Sequence, residues 1–182
     1  MAAPILVVTG PSGAGKTTVS MLVAERFDPS VHIRTDDFLH FVANGWIDPL
    51  AAESAHQNHV LGGAFTAAAI QFAIGGYTVV LDGHIFPDGV DGIAQMGARQ
   101  AVAVHYVVLR PALGICLERA AAPGSGDGRF RLDVDSLAEQ HGRFSDLARH
   151  EGNVIDTTAS PEDVADEILQ AFSAGRLLSS DS

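Results

Sequence analysis

At 182 residues and a net charge of −11, the chain is long enough for one α/β domain with a buried core, and its acidity opposes nonspecific attraction to nucleic acid or an anionic membrane. Its single cysteine, Cys116, cannot form an intrachain disulfide, no apolar run is long enough to span a membrane, and the N-terminus lacks the pattern of a signal peptide. We therefore expect a cytoplasmic protein with no membrane partner and with nucleic acid disfavoured as a partner, and these features leave the oligomeric state open.

Short apolar runs alternate with helix-like patterns along the chain. Strands are predicted at residues 4–9, 31–35, 77–82, 102–109 and 153–156. Helices are predicted at residues 15–27, 50–74, 88–98, 112–121, 134–150 and from 160 onward. This alternation implies a parallel sheet that is covered by helices on both faces. We predict one domain over residues 1–174, followed by a flexible tail at 175–182.

Residues 10–17, between the first strand and the first helix, match the pattern G-x-x-x-x-G-K-[ST] in full. Glycines allow such a loop to bend so that its N–H groups converge on a phosphate at the N-terminus of the helix. Lys16 is expected to reach the β- and γ-phosphates, and the Thr17 hydroxyl to hold Mg²⁺. The residues predicted to bind the nucleotide here are Gly10, Pro11, Ser12, Gly13, Ala14, Gly15, Lys16, Thr17 and Thr18.

Acidic residues follow the second and third predicted strands, at the sheet edge where the loop is expected. Phosphoryl transfer requires a carboxylate to position the attacking hydroxyl and to accept its proton. Asp36 and Asp37 follow the second strand, and because neighbouring residues of an extended chain point in opposite directions, one of them is expected to face the site. An Asx turn with a helix cap would also account for this pair. Asp82 ends the third strand and is a candidate for holding Mg²⁺.

These segments resemble the small P-loop kinases, the group that contains shikimate, gluconate and adenylate kinases and chloramphenicol phosphotransferase. The resemblance covers nearly the whole chain and rests on residues 10–17, 35–38, 80–83 and an arginine-containing segment after the fourth strand. It implies an α/β, three-layer P-loop NTPase fold with a five-stranded parallel sheet, helices on both faces and a short lid. It also implies ATP and Mg²⁺ as ligands.

The resemblance further assigns roles to individual side chains. It implies that Asp36 is the catalytic base, with Asp37 as the alternative. Arg119 would contact the nucleotide, and Arg129 or Arg131 of the lid would neutralise charge on the γ-phosphate. Solvated arginines in an ordinary exposed loop would also account for the last two residues.

The segment 38–76, where the related kinases build their acceptor pocket, contains neither Lys nor Arg. An uncharged or cationic molecule with a hydroxyl, of antibiotic, sugar or nucleoside type, therefore fits better than an anion. The candidate acceptor contacts are Asp37, Phe38, His40, Phe41, Trp46, His59 and His84. Packing under a loop would account equally well for the aromatic residues among them.

The sequence thus predicts an ATP-dependent kinase that transfers the γ-phosphate of ATP to a hydroxyl of a small neutral or cationic molecule. A polynucleotide 5′-hydroxyl kinase is an alternative, disfavoured by the acidity and by the missing basic groove. A nucleotide-binding switch without an acceptor is a third possibility, although a carboxylate after the second strand has a better use in phosphorylating a hydroxyl.

Overall fold

The computed structural model describes residues 2–122 and 133–179, and its elements follow the predicted β-α order. The strands in these residues are β1 Ile5–Thr9, β2 Ser30–Arg34, β3 Thr78–Asp82, β4 Val104–Leu109 and β5 Val154–Ile155. The α-helices there are α1 Lys16–Ala24, α2 Ala55–Ile74, α3 Pro87–Ala98, α4 Leu113–Ala121, α5 Val134–Arg143 and α6 Pro161–Ser173. The 3₁₀ helices there are Thr35–Phe41, Ala52–Ser54 and Ala148–Asn153. No helix in the described residues is long and apolar enough to cross a membrane.

The five strands form one parallel sheet in the order β2-β3-β1-β4-β5, which confirms the predicted architecture. The register sets Asp82 at the end of β3 beside Val8 of β1 and Arg34 of β2. The carboxyl ends of the three strands therefore meet at one edge of the sheet, where ligands bind in folds of this kind. The predicted lid, with Arg129 and Arg131, lies outside the described residues.

Two apolar layers enclose the sheet, because alternate residues of each strand point to opposite faces. Ile5 and Val7 of β1 face the layer that contains residues of α2 and α3. Leu6 and Val8 face the layer that contains residues of α1 and α6. All five residues of β1 are buried, as expected for the central strand of a sheet with two covered faces. The phosphate loop thus leaves from a fully buried strand.

Two helices, α2 and α5, are shorter than the sequence predicted by five residues or more. The second begins at Ala55 rather than at residue 50, because the preceding segment makes its own hydrogen bonds: Ser54 Oγ donates to Pro49 O at 2.8 Å, and the Gln57 side chain bonds both the N–H and the carbonyl of Ile47. The fifth ends at Arg143 rather than at residue 150, and a 3₁₀ helix follows it. Both differences arise from local hydrogen bonds that helical periodicity does not reveal.

Residues 177–179, which lie in the segment predicted as a flexible tail, pack against the sheet. Leu177 is buried in the core, the Tyr106 N–H donates to Leu177 O at 2.8 Å, and the Ser179 N–H donates to Val104 O at 2.8 Å. β5 is only two residues long and pairs with the C-terminal end of β4, so it leaves the start of that strand with unpaired backbone groups. Residues 177–179 cover this edge, which satisfies those groups and buries an apolar side chain.

We expect Leu177→Ala to lower the free energy of unfolding by about 2–4 kcal/mol, because a fully buried leucine leaves a cavity when it is truncated. Leu178→Ala is the matched control, because Leu178 is 47% exposed. This substitution should lower the free energy of unfolding by less than about 1 kcal/mol. Urea denaturation of both variants measures the difference. Equal costs would show that the tail does not pack on the core in solution.

Candidate functional site

The phosphate loop runs from the end of β1 to the first residue of α1 and needs glycine at two positions for a steric reason. Gly10 and Gly13 have φ angles of 144° and 78°. A Cβ atom on Gly10 would collide with the carbonyl oxygen of Leu109, and one on Gly13 with that of Cys116. The loop is therefore packed against β4 and α4 so closely that only glycine fits. This packing fixes the direction of the loop N–H groups before a ligand binds.

Lys16 stands at the centre of the site. Its Nζ donates a hydrogen bond to Pro11 O at 3.0 Å and lies 3.1 Å from His84 Nε2. Burial lowers the pKa of Lys16, and the negative charges of Asp82 and Asp36 oppose that shift. Both predicted carboxylates therefore act electrostatically on the lysine of the loop, although they come from different strands.

A single cleft of about 780 Å³ contains the loop and both carboxylates. Its lining includes Lys16, Thr17, Thr18 and Arg119, which are among the predicted nucleotide contacts. It also includes Asp36, Asp82, His84, Leu39, Asp48, Pro49, Leu50, Leu137 and Gln140, of which His84 and Gln140 contact the phosphate loop itself. The cleft thus brings together residues that lie more than 100 positions apart in the chain.

Asp36 and Asp37 occupy different environments. The chain after β2 is a 3₁₀ helix rather than the extended segment that the sequence predicted, and it turns Asp36 into the cleft. Asp37 is exposed, and its Oδ1 lies 3.6 Å from the Arg34 guanidinium. This placement favours Asp36 over Asp37 as the carboxylate that faces an acceptor.

Thr17 and Asp82, the two residues predicted to hold Mg²⁺, both line the cleft. Asp82 is buried at the end of β3, and its Oδ2 lies 3.5 Å from His32 Nε2. Among the described residues no group of three or more His, Cys, Asp or Glu side chains could hold a metal ion. The oxygen donors fit a cation that takes few protein ligands and completes its shell with phosphate and water.

A hydrogen-bonded connection between α4, the loop after β5 and the phosphate loop was missed by the sequence analysis. Arg119 donates from one guanidinium nitrogen to Thr157 Oγ1 at 3.0 Å and from the other to Thr157 O at 2.7 Å. The Thr157 hydroxyl donates in turn to Ala14 O at 3.0 Å. Thr157 is buried, and it ties Arg119 to the phosphate loop.

Thr157→Val keeps the shape of this side chain and removes its hydroxyl. We expect the free energy of unfolding to fall by about 1–3 kcal/mol, because a buried carbonyl and a guanidinium each lose a partner. ATP affinity should fall as well, since Arg119 and the loop are no longer tied together. Thr158→Val is the control, because Thr158 is exposed and its hydrogen bond to Asp156 uses the backbone N–H rather than the hydroxyl. Urea denaturation and calorimetric titration measure both effects, and equal results for the two variants would contradict the expectation.

Most of the predicted acceptor contacts lie away from the cleft. Phe38 packs against Phe65 and Phe41 with ring centroids 6.1 Å and 5.3 Å away, and Phe41 itself is 72% exposed. In the described part of the chain, the cleft lining includes His84 from the predicted acceptor set and none of Asp37, Phe38, His40, Phe41, Trp46 or His59. The 3₁₀ turn accounts for part of this difference, because it directs Phe38 toward α2 and Leu39 toward the cleft.

Gln140 and Arg34 are among the cleft residues that were not predicted site residues. Gln140 of α5 accepts a hydrogen bond at its Oε1 from the Ser12 N–H at 2.7 Å, at the N-terminal part of the phosphate loop. Arg34 lies at the end of β2, also lines the cleft, and forms the surface pair with Asp37. The amphipathic pattern of α5 predicted the helix but gave no reason to select Gln140 from its polar residues.

Comparison with known proteins gives a consistent result. Similar solved structures include a tunicamycin resistance protein of Deinococcus radiodurans, at 19% identity and TM-score 0.64 over 98% of this chain and 99% of that one. They also include a sugar kinase of Janibacter sp. HTCC2649, at 19% identity and TM-score 0.70 over 94% and 95%, and an APS kinase of Mycobacterium tuberculosis, at 18% identity and TM-score 0.69 over 94% and 98%.

These likenesses confirm the small P-loop kinase fold that the sequence resemblance implied. No curated protein sequence matches the chain significantly. A family model described as AAA domain matches residues 5–147, which is most of the chain and includes the phosphate loop, Asp36, Asp82 and Arg119. The protein therefore belongs to the AAA domain family.

Proposed function

We propose that the protein is a kinase that transfers the γ-phosphate of ATP to a hydroxyl of a small neutral or cationic molecule. The observation that carries the proposal is the shared cleft, in which Asp36 faces the phosphate loop and acts electrostatically on Lys16. A triphosphate on the loop and a hydroxyl beside Asp36 would meet at this point. A nucleotide switch needs the loop but has no use for that carboxylate.

Each side chain then has a chemical task. The loop N–H groups and Lys16 bind the β- and γ-phosphates and stabilise the charge that develops during transfer. Asp36 positions the acceptor hydroxyl in line with the γ-phosphorus and accepts its proton. Thr17 and Asp82 would hold Mg²⁺, which supplies charge neutralisation on the phosphate oxygens when bound. Arg119 would contact the nucleotide from α4.

The charges of the cleft support a neutral or cationic acceptor. Lys16 is held at the phosphate loop, and Arg119 is bonded to Thr157. Among the described residues that line the cleft, Arg34 is then the cation left to the acceptor side, and it pairs at the surface with Asp37. Arg143 is not part of this lining, although its charge acts on His84. Asp36 and Asp48 also line the cleft, so an anionic acceptor would meet unfavourable charges there. The structural neighbours do not indicate whether the acceptor of this chain is neutral or charged, since they include both a sugar kinase and an APS kinase.

The experiment is label transfer from γ-labelled ATP with Mg²⁺ to a set of acceptors that share one scaffold and differ in charge. Glucose, glucosamine and gluconate form such a set, and nucleosides, antibiotics with free hydroxyls and 5′-hydroxyl oligonucleotides extend it. Transfer to neutral or cationic members and not to their anionic partners is the expected result. Transfer only to an anion or an oligonucleotide would contradict the charge argument, and ATP binding without transfer to any hydroxyl compound would favour the switch.

A further inference from the structure

The segment that carries His84 is pinned to the sheet. The Ile85 N–H donates to Thr9 Oγ1 at 2.9 Å, and the Tyr106 hydroxyl donates to Ile85 O at 2.9 Å. Both partners are buried residues of strands, β1 and β4. The backbone next to His84 is therefore fixed from two sides, and the imidazole is held at the phosphate loop rather than on a free turn.

The imidazole reaches the ammonium of Lys16. His84 Nε2 lies 3.1 Å from Lys16 Nζ and 3.4 Å from Ser12 Oγ, and Pro11 O accepts a second Lys16 N–H at 3.0 Å. An ammonium group has three N–H donors and no acceptor, so His84 Nε2 must accept and the ring proton must sit on Nδ1. Two of the three Lys16 donors are thereby bound within the protein.

The charges around the pair favour this arrangement. The positive charges of Lys16 and Arg143 act on the His84 ring, and the negative charges of Asp82 and Asp36 act on the Lys16 ammonium. A neutral acceptor beside a charged donor is the stronger kind of hydrogen bond.

We propose that His84 is a positioning residue for Lys16: its Nε2 takes one N–H of the ammonium, Pro11 takes the second, and the third is directed into the cleft toward the phosphates. A lysine on a flexible four-carbon chain is thus ordered before the nucleotide arrives, which removes part of the entropic cost of binding. The consequence for catalysis rests on the proposed function, whereas the contact itself does not. The sequence analysis had considered His84 as a contact of the molecule that receives the phosphate.

The first test observes the ammonium directly in the full chain without nucleotide. Lys16 is the only lysine, so labelling with ¹⁵N-lysine gives one ζ-ammonium signal. In His84→Leu, which lacks the acceptor, we expect the ammonium protons to exchange with water at least about fivefold faster. In His84→Gln the side-chain oxygen can accept, and the exchange should stay close to that of the wild type. His56→Leu, at an exposed position of α2, is the matched control.

The second test measures ATP affinity by calorimetry on the same variants. We expect His84→Leu to raise the Kd about 10- to 100-fold and His84→Gln to stay within about threefold of the wild type. Thermal unfolding checks that each variant is folded. His84→Ala provides a second variant that lacks the hydrogen-bond acceptor of the imidazole. Unchanged exchange and affinity in both the Leu and Ala variants would overturn the proposal, as would a Gln variant no better than Leu. Altered ammonium exchange in a protein that never binds ATP would support the contact and reject the proposed function.

Discussion

Asp36→Asn is expected to abolish phosphoryl transfer while ATP still binds. The amide keeps the size of the carboxylate but cannot accept a proton, and a positioned general base contributes about 10²- to 10⁴-fold to a rate. We expect kcat to fall by that factor and the Kd for ATP to change less than about threefold, because Asp82 still acts on Lys16. Single-turnover transfer from γ-labelled ATP, with calorimetry for the nucleotide, separates the two quantities.

Asp37→Asn is the control for this experiment, since it removes a carboxylate one residue away that is exposed and paired with Arg34. Its transfer rate should match that of the wild type. Loss of transfer in this variant, with transfer retained in Asp36→Asn, would move the role to Asp37. Retained transfer in both variants would point to Asp82 as the base.

Lys16→Met should remove both tight ATP binding and transfer, with a loss of transfer of roughly 1000-fold or more. Methionine follows the path of the lysine stem but carries no charge and no donor, so the β- and γ-phosphates lose their clamp. Folding should be unaffected, because the substitution also removes the cost of keeping a charge at a buried position. Calorimetric titration with ATP, label transfer and thermal unfolding measure the three effects.

Arg26→Met removes a cation in the same way from the surface, where Arg26 pairs with Asp166 and both side chains are about half exposed. ATP affinity and transfer should stay at the wild-type level in this variant, because exposed ion pairs contribute little. A similar loss of ATP affinity in both variants would show that general charge, rather than the position of Lys16, controls binding.

Local patterns were sufficient for the fold class and for the phosphate loop. The loop motif is contiguous, and its geometry follows from glycines at fixed spacing between a buried strand and a helix. Five apolar runs alternating with helices sufficed for the parallel sheet, since a helical crossover between two strands lets both run in the same direction. The roles of Asp36 and Arg119 came from a family resemblance. Their lining of one cleft agrees with those roles, which remain predictions.

The acceptor side shows where sequence reasoning ends. The aromatic residues 38, 41 and 46 were candidates because they are apolar and lie in the right segment, but a 3₁₀ turn after β2 decides which of the neighbouring residues faces the cleft. Such a turn differs from an extended chain by a rotation of a few dihedral angles, and the Asp36-Asp37 pair was compatible with both. The packing of residues 177–179 could not be predicted for a related reason. The start of β4 lacks a strand partner on one side only because β5 is two residues long, and the sequence does not reveal that length.

By itself, the sequence determined that the protein has an α/β sheet with a phosphate-binding loop and carboxylates after β2 and β3, since these features depend on near neighbours in the chain. Only the tertiary structure decided that His84 contacts Lys16, that Thr157 joins Arg119 to Ala14, and that Gln140 bonds the Ser12 N–H. Each of these contacts joins residues brought together by packing at separations from 38 to 143 positions. Their side-chain directions depend on the register of the sheet and on how the helices pack, which local periodicity does not encode.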